Sequence, residues 1–582
     1  MEVTASNFKT VLPDVEKTIN DCTFLSVDCE LTGLDLVRNI NTFDTPGQYY
    51  GKLRSNCKEF LVIQYGLSMF RYDEEKDVFK NHTYNFYIFR RPINRNVPDQ
   101  RFLCQTSSIN FLIHEGFDFN KLFKEGISYL NIVEEEIYRG NLEEAYKKRT
   151  ESIQSHQNET NDIIPIPEDA RQFVDDVVQQ IETFLESDEV ELQLPKCNSF
   201  LRRLVYQTKA EKFADKITLE TRQVENKDRI LFVRRLRTRE EEEEIEKQKY
   251  EEQIGELEDF VGFTKVLRMI VNSGKLIIGH NLCLDLLHTL DKFLNPLPDD
   301  YVEFKELAHS LFPKILDTKY MSSLEPFKEL IQSNVLKHLL DAVSEKPFEI
   351  PNVEFEQNQP GYNLNDGKEH EAGYDAYITG LSFLSMWKYL GTSVSMKNED
   401  IFCDFQLLRP YINKIFLMLL VDNQYINLAG KDLTVSRDHV FYMTFPKEWK
   451  TGNITQLFSP FGKVYVSWLD ETSAYVSLYE RDQAAMALST LSQGEAYTMT
   501  TFARRQATLL GIKTPLPSPV PKKRRSVEGQ PAAKRRKTDS FNSSGSFSTS
   551  KRSIDPIIEE ELAETEENVS SKKIFMENDV WG

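Results

Sequence analysis

The sequence predicts an α/β core, split by a small inserted α+β unit and followed by a second α+β unit and a disordered tail. Three observations predict it. Short apolar runs stop abruptly at polar residues, as in CTFLSV (22–27) before DCE and KLIIG (275–279) before HN, which is the pattern of buried strands. Amphipathic helical stretches separate such runs, most clearly in ARQFVDDVVQQIETFLES (170–187). From about residue 511, Pro, Ser, Lys, Arg and Glu take over and aromatics almost vanish, a composition that cannot bury a core.

Residues 1–164 form the first part of the core. CTFLSV predicts its first strand, and FLVIQYGLSMF (60–70) and YNFYIF (84–89) predict two more. The polar RYDEEKDVFKNH between them predicts a connection joining an antiparallel pair. Residues 117–154 read as largely polar helix, and 155–167 as a linker. The segment 165–240 reads as the insertion. Its first helix carries an apolar stripe of Phe173, Val174, Val177, Val178, Ile181, Phe184 and Leu185. A second helix, NSFLRRLVYQTKAEKF, and two strands, KITLE and RILFVRRLR, complete a compact basic unit. The charged stretch RTREEEEEIEKQKYEEQ follows, and the core resumes over 241–425. There GELEDFVGFTKVLRMIVNSG predicts one amphipathic helix before the KLIIG strand, with helical segments onward to about 400. A third unit, 430–505, has short strands at HVFYMTF, KVYVSW and AYVSL and a helix in RDQAAMALSTL. The tail, 511–582, holds two basic clusters, PKKRR (521–525) and AAKRRK (532–537), and ends in an acidic run.

With 582 residues and 40% hydrophobic content the chain can bury several cores. Its net charge of −20 excludes nonspecific coating of nucleic acid; any grip on phosphate must come from local basic patches. The seven cysteines include no C-x-x-C pair, which points to a reducing compartment without zinc modules. No apolar run approaches a membrane span.

Hydrolysis of a phosphodiester by two metal ions needs several carboxylates converging on one point, and magnesium prefers oxygen ligands. A D-x-E pair on a strand projects both carboxylates from one face. Asp28 and Glu30 form such a pair at the end of a buried run; Asp14-x-Glu16 and Asp73-x-Glu75 match the spacing without that context. In GHNLCLD, Asn281 and Asp285 are expected to share a helix face, although Asn281 could instead cap that helix. In HEAGYD, His370 precedes Asp375 by five positions at a helix start, and a histidine is suited to deprotonating water near neutral pH. His280 and Asp285 have the same spacing, so only the ordered conjunction of the three motifs selects a site.

That ordered set resembles the DEDD superfamily of 3′-to-5′ exonucleases, in its histidine-containing branch. FLSVDCELTGL, FLVIQYGLSMF, GHNLCLDLLHTL, ILDTKYM and HEAGYDAYITG are similar to the poly(A)-specific ribonuclease family of deadenylases, over about residues 1–505. The resemblance implies a ribonuclease-H-like nuclease domain in which Asp28, Glu30, Asp285 and Asp375 bind two Mg2+ ions, with Mn2+ as a substitute, and His370 activates the water. It implies contacts to single-stranded poly(A) from Ile109, Phe111, Asn281 and Lys319. The inserted unit resembles a small nucleic-acid-binding domain named for an arginine and a histidine four positions apart; here Arg202 is followed by Tyr206. The 430–505 unit resembles an RNA-recognition motif, and the family match makes Trp468 a stacking partner for the cationic 7-methylguanosine cap. A homodimer is implied as well. The tail clusters look like a bipartite import signal, giving an expected location in nucleus and cytoplasm.

The expected function is therefore removal of mRNA poly(A) tails from the 3′ end with release of 5′-AMP. Two alternatives stay open at this point: a related exonuclease acting on other RNA or DNA 3′ ends, and an inactive RNA- or cap-binding scaffold.

Overall fold

The computed structural model describes residues 1–512 apart from 36–39, 93–99, 156–163, 225–227, 236–238, 356–360, 365–366 and the single positions 188, 215 and 493. The tail clusters at 521–525 and 532–537, with the import signal read from them, lie outside the described residues.

The nuclease sheet begins with β1 (Glu2–Val3), β2 (Phe24–Leu31), β3 (Val62–Asp73) and β4 (Val78–Tyr87). The inserted unit contributes its own β5 (Glu191–Gln193), β6 (Ile217–Val224) and β7 (Asp228–Arg235). The nuclease sheet is then completed by β8 (Leu276–Gly279), β9 (Ile315–Asp317) and β10 (Val353–Phe355). The strand order is β1-β4-β3-β2-β8-β9, with β10 also on β4. β2, β3 and β4 form an antiparallel meander, while β8 and β9 run parallel to β2. Three antiparallel strands followed by two parallel ones give the α/β core that the sequence predicts, in the ribonuclease-H-like form that the resemblance implies. Odd residues of β2 (Leu25, Val27, Cys29, Leu31) enter one core, against helices including Thr264–Ser273 and Cys283–Thr289. Phe24 enters a second core on the opposite face, beneath the long helix Ala372–Ser393. That alternation follows from the strand's two-residue period and decides which β2 side chains can meet the long helix.

The polar RYDEEKDVFKNH is not a connection. β3 extends to Asp73 and β4 starts at Val78, leaving a turn of only 74–77, with Asp77 at φ 50°. The strand continues through polar residues because its alternate positions stay in the core: Phe79 is fully buried. Asn81 satisfies its amide within the sheet, donating to Ser68 Oγ at 2.9 Å. GELEDFVGFTKVLRMIVNSG is likewise two helices, ending at Val261 and restarting at Thr264. Gly262 makes the break at φ 44°, where a Cβ would overlap the Ser128 carbonyl.

The inserted unit packs helices Glu168–Glu186 and Ser199–Lys212 against an antiparallel sheet of order β5-β7-β6. Val174, Val177, Val178, Ile181 and Phe184 of the predicted stripe are buried there. Its link to the nuclease is a pair of helices, Ile132–Ser155 and Arg239–Val261. Their apolar contact is a small cluster of Leu257, Phe260 and Val261 with Leu130, Tyr138 and Leu142. They are joined by Arg149–Glu246 at 3.1 Å, Arg139–Glu258 at 2.6 Å, and Tyr146 stacked on Tyr250 at 4.6 Å. The charged stretch after 236 is thus largely one side of a two-helix stalk.

A short hairpin of β11 (Lys414–Phe416) and β12 (Tyr425–Asn427) precedes the last unit. There β13 (Val440–Thr444), β14 (Val464–Asp470), β15 (Ser473–Leu478) and β16 (Thr498–Thr501) form an antiparallel sheet of order β14-β15-β13-β16. Helices Thr451–Phe458 and Ala484–Leu491 separate the strands in the β-α-β-β-α-β sequence of an RNA-recognition motif, and helix Phe502–Leu509 follows. Tyr442 and Tyr475 are cross-strand partners at the centre of the sheet. Phe43 of the nuclease and Phe502 of the last helix pack on that side, and Arg505 lies over the Tyr442 ring at 4.2 Å. The face on which such a motif ordinarily stacks bases is here a docking surface for the chain itself.

Candidate active site

Three carboxylates meet at the end of β2. Asp28 and Glu30 project from the face opposite Cys29, and Asp375 comes from the first turn of the long helix. Their oxygens lie within 4.8 Å of one another. Glu30 and Asp375 are 1% and 3% exposed, and Asp28 is half-buried. Among the described residues none of the three forms an ion pair, and Glu30 Oε2 has no hydrogen-bond partner.

The consequence is electrostatic. Loss of water around Asp28, reinforced by the charges of Asp375 and Asp285, raises its carboxyl well above the usual range. Burial raises Glu30 in the same sense, with Asp28 and Asp375 adding to it. Burial also raises Asp375, although the His370 N–H opposes the effect by donating to Asp375 Oδ2 at 2.9 Å. Clustered buried carboxylates are costly unless paired or bound to a cation. An all-oxygen donor set with an orphaned Glu30 oxygen fits Mg2+ or Mn2+.

Asp285 occupies the first turn of helix Cys283–Thr289. Burial raises its carboxyl to about 7, against the lowering effect of a hydrogen bond with the Cys29 thiol. It stands near enough to perturb Asp28 and Glu30 but does not join the three-carboxylate group. Asn281 does not share its helix face: Asn281 precedes the helix, at φ 57°. Nor does Asn281 cap the helix. Its N–H donates to Asp317 Oδ1 at 2.9 Å, and its amide donates to Met418 Sδ at 3.1 Å.

His370 also lies outside a helix, two residues before the long helix begins, at φ 69°. Its ring packs edge-on against Phe111 at 4.7 Å, and its Nδ1 has no hydrogen-bond partner. Burial lowers its pKa, with Lys337 in the same direction and Glu369 opposing, so the ring is a neutral base near pH 7. His280, the other histidine with the same spacing, is buried and bonded through Nδ1 to Thr318 Oγ1 at 2.9 Å. Geometry therefore distinguishes the two H-x-x-x-x-D matches.

Phe111 and Ile109 lie on helix Thr106–His114 and are half-buried. Lys319 is only 3% exposed, so it is not a surface lysine. Its Nζ lies over the Phe416 ring at 5.7 Å. A residue that sequence reasoning passed over organises this side. Asp317, fully buried, accepts from the N–H groups of Asn281, Leu282, Lys319 and Phe416 at 2.9–3.0 Å. Its only sequence signal is an Asp closing an apolar strand.

In the last unit Trp468 is half-buried, edge-on to Phe445 at 5.2 Å, with Nε1 donating to Thr451 Oγ1 at 3.2 Å. Its carbonyl accepts from Asn41 of the nuclease at 3.3 Å, and the neighbouring Ser467 bonds Thr42 at 3.0 Å. Arg202 of the inserted unit is turned inward, donating to the Cys197 and Arg229 carbonyls. Arg222 and Arg234 are held by Glu191 and Glu220.

Fold and site together define a nuclease of the ribonuclease-H-like class carrying a C-terminal RNA-binding domain. Residues 3–383 match the model of the CAF1 family ribonucleases and residues 430–508 that of an RNA binding domain; the chain belongs to the CAF1 ribonuclease family. It is 42% identical over 510 residues to the poly(A)-specific ribonuclease PARN of Xenopus laevis, covering 86% of this chain and 81% of that one. It is 42% identical over 514 residues to the Homo sapiens PARN, covering 86% and 80%. A more distant relative, the pre-piRNA 3′-exonuclease trimmer of Bombyx mori, is 25% identical over 528 residues, covering 86% and 93%.

Proposed function

We propose that this protein is a poly(A)-specific 3′-to-5′ exoribonuclease that shortens mRNA tails and releases 5′-AMP. The convergence of Asp28, Glu30 and Asp375, with one Glu30 oxygen left unbonded, is the observation that carries the reading. The relatives named for poly(A) specificity, at 42% identity over most of the chain, supply its substrate.

Asp28, Glu30 and Asp375 would hold two divalent ions, with Asp285 as the fourth ligand. When bound, the ions supply charge for the developing phosphorane oxygens and lower the pKa of water. The residues do the rest. His370 accepts the proton of the attacking water at its neutral imidazole, held against Asp375 by its own backbone N–H. Phe111, packed on His370, offers an apolar surface beside the reacting end on which a terminal base can stack. Ile109 belongs to the same wall, and Asn281 and Lys319 would contact the RNA from the Asp317 side. Trp468 is the stacking surface for a 7-methylguanosine cap, whose positive charge suits an indole face. The protein acts as a homodimer in nucleus and cytoplasm on this reading.

Competition with homopolymers tests the substrate. Oligo(A) should inhibit shortening of a labelled poly(A) tail at concentrations where oligo(U) and oligo(C) do not. Equal inhibition by all three would replace the deadenylase with a general 3′ exonuclease.

A further inference from the structure

The sheet face that presents Asp28 and Glu30 also presents two amides. In register, Asp28 lies opposite Gly66 on β3, which lies opposite Asn85 on β4. Glu30 lies opposite Gln64, which lies opposite Tyr87. Directly opposed residues share a face, so each row runs from a carboxylate on β2 to polar groups on β3 and β4. The long helix Ala372–Ser393 begins above these rows.

The first N–H groups of a helix have no partner within it. Here the sheet supplies partners. Gln64 Oε1 accepts from the Ala372 N–H at 2.9 Å, and Asn85 Oδ1 accepts from the Gly373 N–H at 3.1 Å. Both amides are essentially inaccessible, at 1% and 0% exposure. Gln64 lies opposite Tyr87 in register, and Asn85 is held from behind. Asn85 Nδ2 donates to Glu371 Oε1 at 3.3 Å, an oxygen that the Tyr362 hydroxyl also reaches. Gly66 between them lets the helix backbone descend, since a Cβ there would overlap the Ala372 carbonyl.

We infer that Gln64 and Asn85 are positioning residues for the reaction. They tie the start of the long helix to strands β3 and β4, and thereby set Asp375 and His370 against Asp28 and Glu30. The inference rests on the two-metal reading above. It goes beyond that reading in assigning a role to residues outside the carboxylate group.

The test uses the full chain with Gln64→Met and Asn85→Leu, which keep volume and remove the acceptors, and with the milder Tyr362→Phe. Kinetics on oligo(A) are read beside Mn2+ binding, followed by the electron paramagnetic resonance of free Mn2+. The expected result is a fall in kcat of about 10- to 100-fold and a loss of Mn2+ affinity of about tenfold in the first two variants. KM should stay within about threefold of the wild type, since the RNA wall is untouched. If either protein fails to fold, Tyr362→Phe decides, with an expected fall in kcat of about threefold to tenfold through the loosened Glu371. Variants that fold, melt lower and retain both kcat and Mn2+ affinity within twofold would overturn the inference, reducing the amides to structural groups. Mn2+ binding is read without turnover, so a wild type that binds Mn2+ but leaves oligo(A) intact would remove the deadenylase reading while the positioning role is still decided.

Discussion

At the scale of single residues, burial sets the chemistry. The site carboxylates are raised because water is excluded and like charges crowd together. His370 is lowered because the same exclusion disfavours its cation. The same physics acts away from the site. His288, fully buried, has no hydrogen-bond partner on either ring nitrogen, and burial lowers its pKa to about 3, with Lys292 adding to the effect. Its folded pKa lies below the unfolded value near 6.5, so the unfolded chain binds the extra proton. Stability contributed here is intact above about pH 6.5 and is lost progressively as pH falls toward 3. Replacing His288 by Leu should flatten the fall in melting temperature between pH 7 and 5, measured by thermal unfolding across that range. An unchanged slope would assign the acid sensitivity to other groups.

At the scale of elements, what could be read from the sequence divides along physical lines. Strand β2 with its D-x-E was legible because a buried run ending in carboxylates has few other uses. The stripe of helix Glu168–Glu186 was legible because its period is helical. The extension of β3 and β4 through RYDEEKDVFKNH was not, because cross-strand pairing there outweighs local polarity. The helix Arg239–Val261 was not, because ion pairs to a partner helix, with apolar contact confined to its last turns, stabilise it. Asn281 was found as a motif member but expected on the helix face of Asp285 or as its cap, and His370 was expected at a helix start that falls two residues after it; left-handed residues just before a helix leave no periodic signal. Gln64 and Asn85 carried no signal in one sequence, and Asp317 only that of an Asp closing an apolar strand, because their roles lie in long-range bonds to backbone. Asp317 shows what such a residue contributes. Changing it to Ala would strip partners from the N–H groups of Asn281, Leu282, Lys319 and Phe416 at once. The expected cost is about 3–5 kcal/mol of unfolding free energy, measured by denaturant titration. A loss under about 1 kcal/mol would contradict the hub role.

At the scale of the whole molecule, the nuclease and the RNA-binding domain are joined through residues 41–43, which follow β2. Arg437, salt-bridged to Asp422 at 3.0 Å, donates to the Phe43 carbonyl and lies over the Phe502 ring at 4.6 Å. Asn41 and Thr42 bond the backbone and side chains around Trp468. The domain's sheet face is spent on this contact, while Trp468, the proposed cap-stacking residue, packs with Phe445 away from it. Trp468→Ala should weaken binding of a 7-methylguanosine cap analogue at least tenfold, by fluorescence or calorimetric titration, and leave kcat on uncapped oligo(A) within about twofold. Unaltered cap affinity would move the cap elsewhere.

On the proposed function, the carboxylates at the end of β2 perform metal-dependent removal of 3′ nucleotides. The most direct test incubates purified protein with Mg2+ and 5′-labelled RNA ending in adenosines, beside Asp28→Ala and a chelator control. Stepwise shortening from the 3′ end is expected, lost with chelator and reduced by about three orders of magnitude in the variant, about 4 kcal/mol of transition-state stabilisation. Shortening that persists at the wild-type rate in Asp28→Ala, or that proceeds in excess chelator, would contradict it.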